Sequence, residues 1–169
     1  MRHFRALSIA FTVLTLVAGA AQAQDQRVWR LYNGPELISL AYGVPETDDV
    51  TQVLMCAPGH RIRASFTFEH EVVARLDGER WLDARGRAAP WPTRLTLVSG
   101  AATATLDATT QPDQMNGGST VSATFAPGGP VMTSFARTGR LRASAYDETL
   151  ALPPAPLARV RRFLQLCAR

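Results

Sequence analysis

Between Val28 and Tyr146 the chain repeats one device: short runs of alternating apolar and polar residues, separated by Gly, Pro, Asn or Asp. A period of two sends successive side chains to opposite faces of an extended strand, so each run has one face to bury and one to wet. Ile62, Ala64, Phe66 and Phe68 alternate with Arg61, Arg63, Ser65 and Thr67. Val121, Ala123 and Phe125 alternate with Thr120, Ser122 and Thr124, and Leu141, Ala143 and Ala145 with Arg142 and Ser144. Further candidates are Val28–Tyr32, Leu37–Tyr42, Thr51–Cys56, Arg94–Ser99, Ala102–Ala108 and Val131–Ala136. Half-buried strands in series predict a mainly β fold, a single-domain sandwich or barrel of about eight or nine short strands.

The last segment changes period. After Pro153, Pro154 and Pro156, the residues Leu157, Val160, Leu164 and Cys167 recur at spacings of three and four, with Arg159, Arg162 and Gln165 on the other side. That pattern predicts a C-terminal amphipathic helix with Pro156 near its first turn.

At the other end, Arg2 and Arg5 precede the apolar run Ala6 to Val17, and Ala21-Gln22-Ala23 supplies the small residues that a signal peptidase accepts. Residues 1–23 therefore read as a secretory signal peptide, with residues 24–169 as a single β-rich domain starting at Gln24 and directed to the periplasm or the exterior. The apolar run is short for a membrane span, and no second apolar segment of about 20 residues follows. No Cys follows the predicted cleavage point, which argues against a lipid anchor.

Export gives the two cysteines a meaning. Cys56 and Cys167 are the whole complement, they lack a C-x-x-C redox spacing, and an even count in an oxidising compartment indicates a structural bridge. Such a bridge would pin the terminal helix to the strand that carries Cys56.

The charge balance excludes one class of partner. The chain has 18 basic residues, all Arg, against 14 acids, for a net charge of +4. Removal of Arg2 and Arg5 with the signal peptide lowers this to 16 − 14 = +2. A nucleic-acid binder concentrates basic residues on one face, and no such concentration is visible here.

Catalytic constellations are scarce. There is no G-x-S-x-G elbow, and Gly117-Gly118 and Gly128-Gly129 lack the Lys or helix of a phosphate-cradling loop. Glu69-His70-Glu71 resembles a metal cluster in composition, but alternation continued from Phe68 would send His70 away from both glutamates. His60 follows Pro58-Gly59 in a turn. Pro45-Glu46-Thr47-Asp48-Asp49 holds three carboxylates but lacks the spacing of a calcium loop, and its residues suit turn formation. The expectation is a protein without catalytic residues, metal or cofactor, although a carboxylate-dependent hydrolase would show only as acids converging in a cleft.

One segment holds more chemistry than folding requires. Arg75 to Arg94 contains Trp81 and Trp91 with Arg75, Arg80, Arg85, Arg87 and Arg94, interspersed with Asp77, Glu79 and Asp83. Indole and guanidinium groups together are enriched at binding surfaces. Arg75, Arg80, Trp81, Arg85, Arg87 and Trp91 are therefore the candidate surface for an envelope component of unspecified kind: a protein, a glycan or a lipid headgroup. The competing reading has both indoles capping an open end of the barrel beneath Arg stems.

Trp29, the run from Ala41 through Tyr42-Gly43-Val44-Pro45-Glu46-Thr47-Asp48 to Asp49, Leu54-Met55-Cys56, and Phe163 followed by Cys167 together resemble a pattern of uncharacterised small exported proteins of Gram-negative bacteria. That resemblance implies a secreted β-rich domain and carries no activity. In general plan the chain is also similar to the periplasmic lysozyme inhibitors, disulfide-stapled β-barrels that present a Ser-Gly-containing loop to an enzyme cleft. Leu97-Val98-Ser99-Gly100-Ala101-Ala102-Thr103 is the matching stretch, with Thr103 where that family has Tyr. The implied function is a non-catalytic binding domain, with an enzyme inhibitor as the alternative.

Overall fold

The computed structural model describes residues 26–169, so the expected signal peptide and its cleavage at Gln24 lie outside the described residues. The strands are β1 (Val28–Asn33), β2 (Ile38–Gly43), β3 (Val50–Cys56), β4 (Ile62–Phe68), β5 (Arg75–Asp77), β6 (Arg80–Leu82), β7 (Trp91–Ser99), β8 (Ala102–Pro112), β9 (Ser119–Phe125), β10 (Arg142–Ala145) and β11 (Glu148–Ala151). Nine of them form one antiparallel sheet in the order β1-β2-β3-β4-β9-β8-β7-β10-β11, curled into a half-barrel, while β5 and β6 form a separate two-stranded sheet.

Alternation governs the wall. Leu40 of β2 pairs with Leu54 of β3, Leu54 with Ala64 of β4, and Ala64 with Ala123 of β9, and all four are buried. The intervening residues, such as Arg63, Ser65 and Thr124, are exposed or half-buried. Two helices, α1 (Pro130–Thr138) and α2 (Leu157–Cys167), bury their apolar stripes in the same core as the strands' inner rows. α2 packs on β1, β2 and α1, and α1 packs on β7 and β8. A fully buried Phe or Leu stabilises by roughly 1.5–3 kcal/mol, whereas an exposed ion pair such as Arg94–Asp107, at 3.3 Å, contributes about 0–1 kcal/mol. The inner rows therefore decide stability.

The open side of the half-barrel is tied together by three contacts. The Trp29 indole N–H donates to Pro153 O at 2.8 Å, and Arg159 of α2 donates to Trp29 O. Cys56 and Cys167 form the expected disulfide, with their Cα atoms 5.8 Å apart, which fastens α2 to β3. Among the described residues no helix is long and apolar enough to cross a membrane.

Two local expectations are corrected. Val131–Ala136 is not a strand but the centre of α1: Pro130 stands in its first turn, and Gly139 closes it in the left-handed conformation at φ 65°. Its buried residues Val131, Met132 and Phe135 lie at helical spacing. In α2, Leu157 is exposed and Leu164 only half-buried, and the stripe consists of Val160, Phe163, Leu166 and Cys167. The Pro45–Asp49 segment forms the expected turn, with Thr47 Oγ1 donating to Val44 O at 3.1 Å and accepting from the Asp49 N–H at 3.2 Å.

Candidate functional site

The segment that the sequence singles out leaves the barrel wall after β4 and returns at β7. In between, Leu76 pairs with Trp81 and Asp77 with Arg80 across the β5–β6 hairpin, which reverses over Gly78-Glu79 with Gly78 at φ 61°. Neither strand joins the main sheet, so the hairpin is an arm. The arm exposes apolar surface: Val73 is 84% and Leu76 52% accessible.

Its arginines divide into two groups. Asp83 accepts hydrogen bonds from the backbone N–H of Arg85 at 2.9 Å, from that of Arg87 at 2.8 Å and from Arg87 Nε at 2.7 Å. Burial alone would raise the Asp83 carboxyl, but these donors and the Arg87 charge outweigh it and hold the group below the usual carboxylate range. Arg87 is thus consumed in closing its own loop, and Arg75 lies 3.9 Å from Asp77. Arg80 and Arg85 are exposed and make no ion pair among the described residues.

The two indoles divide in the same way. Trp91 is only 6% exposed, and its N–H donates to Arg87 O at 2.9 Å, so it is a packed residue and leaves the candidate surface. Trp81 is half-buried, and its indole N–H has no acceptor. Alternation puts Trp81 and Leu76 on one face of the hairpin and Arg80 on the other. The structure thus leaves Arg80 and Arg85 as exposed charges that the fold does not pair, while the unmet Trp81 N–H is itself buried.

A second feature escaped sequence reading. At one end of the half-barrel a cleft of about 750 Å³ opens between β2, β3, the end of β4, the Asn116-Gly117-Gly118 turn and the segment after β11. Gln52 lies in its wall, in the inner row with Leu54 and Cys56; the residue is only 7% exposed, and its Oε1 has no partner. Asp113 holds the facing turn by accepting from the backbone N–H groups of Met115 and Asn116, both at 3.0 Å, and from Thr67 Oγ1 at 3.0 Å. Burial pushes this carboxyl up, and the hydrogen bonds, led by Asn116, pull it below the usual range. Gly118 lets that turn come close, since a Cβ there would stand 2.0 Å from Phe68 O.

Glu69 and Glu71 also line the cleft. Both are exposed. His70 between them stacks on Tyr146 with ring centroids 4.0 Å apart, and Tyr146 donates to Thr110 Oγ1 at 2.7 Å. β4 stops at Phe68, so it is this stacking, and not continued strand alternation, that accounts for His70. Among the described residues no three His, Cys, Asp or Glu lie close enough together to hold a metal.

The Ser99-Gly100 turn matched to the inhibitor loop is anchored inward. Ser99 is 1% exposed, and its hydroxyl lies 3.2 Å from Thr138 Oγ1. No protein-family model, no curated protein and no solved structure matches this chain.

Proposed function

We propose that this chain is a soluble, exported, non-catalytic binding domain that works in the periplasm or outside the cell and holds an acidic envelope component against the β5–β6 arm. The observation that carries the reading is a pair of uncommitted charges there: the exposed guanidinium groups of Arg80 and Arg85 make no ion pair among the described residues. Carboxylate or phosphate oxygens on a partner would satisfy both, and the exposed Leu76 and Val73 supply apolar contact around them. The disulfide fits an oxidising compartment.

The test is affinity capture from envelope extracts at about 0.1 M salt, where exposed charge pairs still act. The parent protein should retain a partner that the double variant Arg80→Ala/Arg85→Ala loses, with unchanged melting temperature. Equal capture by both proteins, or no partner for either, would contradict the reading.

A further inference from the structure

We infer that the α1–α2 end of the half-barrel docks on an anionic phospholipid surface, with a lipid phosphate held between Arg140 and Arg142. This surface stands apart from the arm and shares no residue with it. The fold sorts charge between its two ends. After Asp113 the chain has seven arginines and two acids, Asp147 and Glu148. Both acids lie where β10 turns into β11, and the Glu148 carboxylate accepts from the Glu69 backbone N–H at 3.0 Å. The same strand ends carry Glu71 and the Pro45–Asp49 turn. At the opposite strand ends Glu36 is the sole acid in the turns, among the described residues.

That end gathers arginines from segments far apart in the chain, a concentration the linear order hides. Arg137 stands in the last turn of α1, and Arg161 of α2 donates from Nε to Ala136 O at 3.1 Å. Arg140 follows Gly139, where a Cβ would stand 3.2 Å from Leu157 Cδ2 of α2. Buried Gly139, Leu141 and Ala143 alternate with exposed Arg140 and Arg142, so both arginines face outward. They line one cavity of about 440 Å³ with the half-buried Val98 and Leu152 and the exposed Pro154, and no acid lines it. Two residues of extended chain span about 7 Å, so the two guanidinium groups can grip one phosphodiester from either side. Arg137, Arg140, Arg142 and Arg161 make no ion pair among the described residues. The dipole of α1 accounts for Arg161, whose Nε is spent on a terminal carbonyl, but Arg140 and Arg142 lie beyond the helix. Exposed Leu157 and Pro154 border the arginines. Membrane attachment draws on such apolar contact as well as on charge, whereas a nucleic-acid backbone offers little to it.

Co-sedimentation at about 0.05 M salt with vesicles of equal parts phosphatidylglycerol and phosphatidylcholine tests this, with pure phosphatidylcholine vesicles as the control. The parent protein should bind the anionic vesicles only, and about 0.5 M salt should release it. An arginine near an anionic surface is worth about fivefold in affinity, so Arg137→Gln should weaken binding about fivefold and Arg140→Gln/Arg142→Gln about thirtyfold. All three positions are exposed, so the melting temperature should not change. Arg80→Ala/Arg85→Ala should leave vesicle binding intact, which separates this end from the arm. No binding to anionic vesicles, equal binding to pure phosphatidylcholine, indifference to Arg140→Gln/Arg142→Gln, or loss through Arg80→Ala/Arg85→Ala would overturn the inference. So would displacement by soluble glycerol phosphate at the concentration of the lipid phosphate, or equally tight binding of a mixed-sequence DNA duplex.

Discussion

Trp81 and Trp91 lie in the same Arg-rich segment, and their surroundings could hardly differ more. Trp91 begins β7, sits in the inward row with Leu95, Leu97 and Ser99, and has its indole N–H satisfied by Arg87. Trp81 sits on a hairpin that shares no strand pairing with the barrel, and its N–H is unmet. Isolated two-stranded hairpins are marginal in water, so the arm draws little support from its own pairing. The contrast teaches that composition identifies a segment rich in binding chemistry, but register decides which residues are free to use it. In the wall the polar groups of the inner rows are partnered, with Gln52 and Ser119 as unmet exceptions, whereas the arm keeps Arg80, Arg85 and apolar side chains in the open and buries the unmet Trp81 N–H.

The barrel side of the comparison can be broken most severely at the disulfide. Cys56→Ser and Cys167→Ser should each destabilise the protein by about 4–5 kcal/mol on the chain-entropy model for a loop of 111 residues, and to a similar degree, because both open the same loop. Denaturant melts of the two variants, with thiol titration of the unfolded parent, check this; two reactive thiols in the parent would defeat it. Next comes the tryptophan pair. Trp91→Ala should cost about 3–5 kcal/mol as a large-to-small change in a packed site, and Trp81→Ala about 1 kcal/mol. Equal losses would make the arm part of the core.

Protonation separates the regions more gently. Asp113 in the barrel turn and Asp83 in the arm are both held below the usual carboxylate value of about 3.9, so the fold favours their ionised forms. Their contribution is complete above that value and is lost as pH falls through the depressed folded values. Acid titration below about pH 4 should therefore destabilise the parent, and Asp113→Asn should flatten that dependence in the global melt. Asp83→Asn should instead change only arm signals, such as Trp81 fluorescence. The smallest effect belongs to Arg80→Ala/Arg85→Ala, expected within about 0.5 kcal/mol of the parent by chemical melt.

Much of the barrel was legible because alternation is a local signal. The Ile62–Phe68, Val121–Phe125 and Leu141–Ala145 runs place their apolar residues inside as read, and the cysteine pair closes as read. Val131–Ala136 misled because its apolar residues come in adjacent pairs, Val131-Met132 and Phe135-Ala136, a helical spacing that the flanking Pro130 and Gly139 support. β11 gave little sign, since half of its side chains face solvent on an edge strand. Trp91 could have been assigned inward by extending the Leu97-Leu95 row backwards past Arg94. The same extension from Cys56 through Leu54 reaches Gln52, a polar residue in an apolar row. Which groups meet across the cleft depends on how the sheet curls, and no spacing in the chain encodes that.

Hydrogen exchange on the parent protein tests the separation of arm and barrel most directly. Arm amides, those of Leu76, Trp81 and Leu82, should exchange through local opening far faster than those of Leu54, Phe66 and Val121, which should open only with global unfolding. Arm amides protected to the same level as the barrel strands would contradict the account, because the arm would then belong to the cooperative core and its exposed donors would be incidental to the fold.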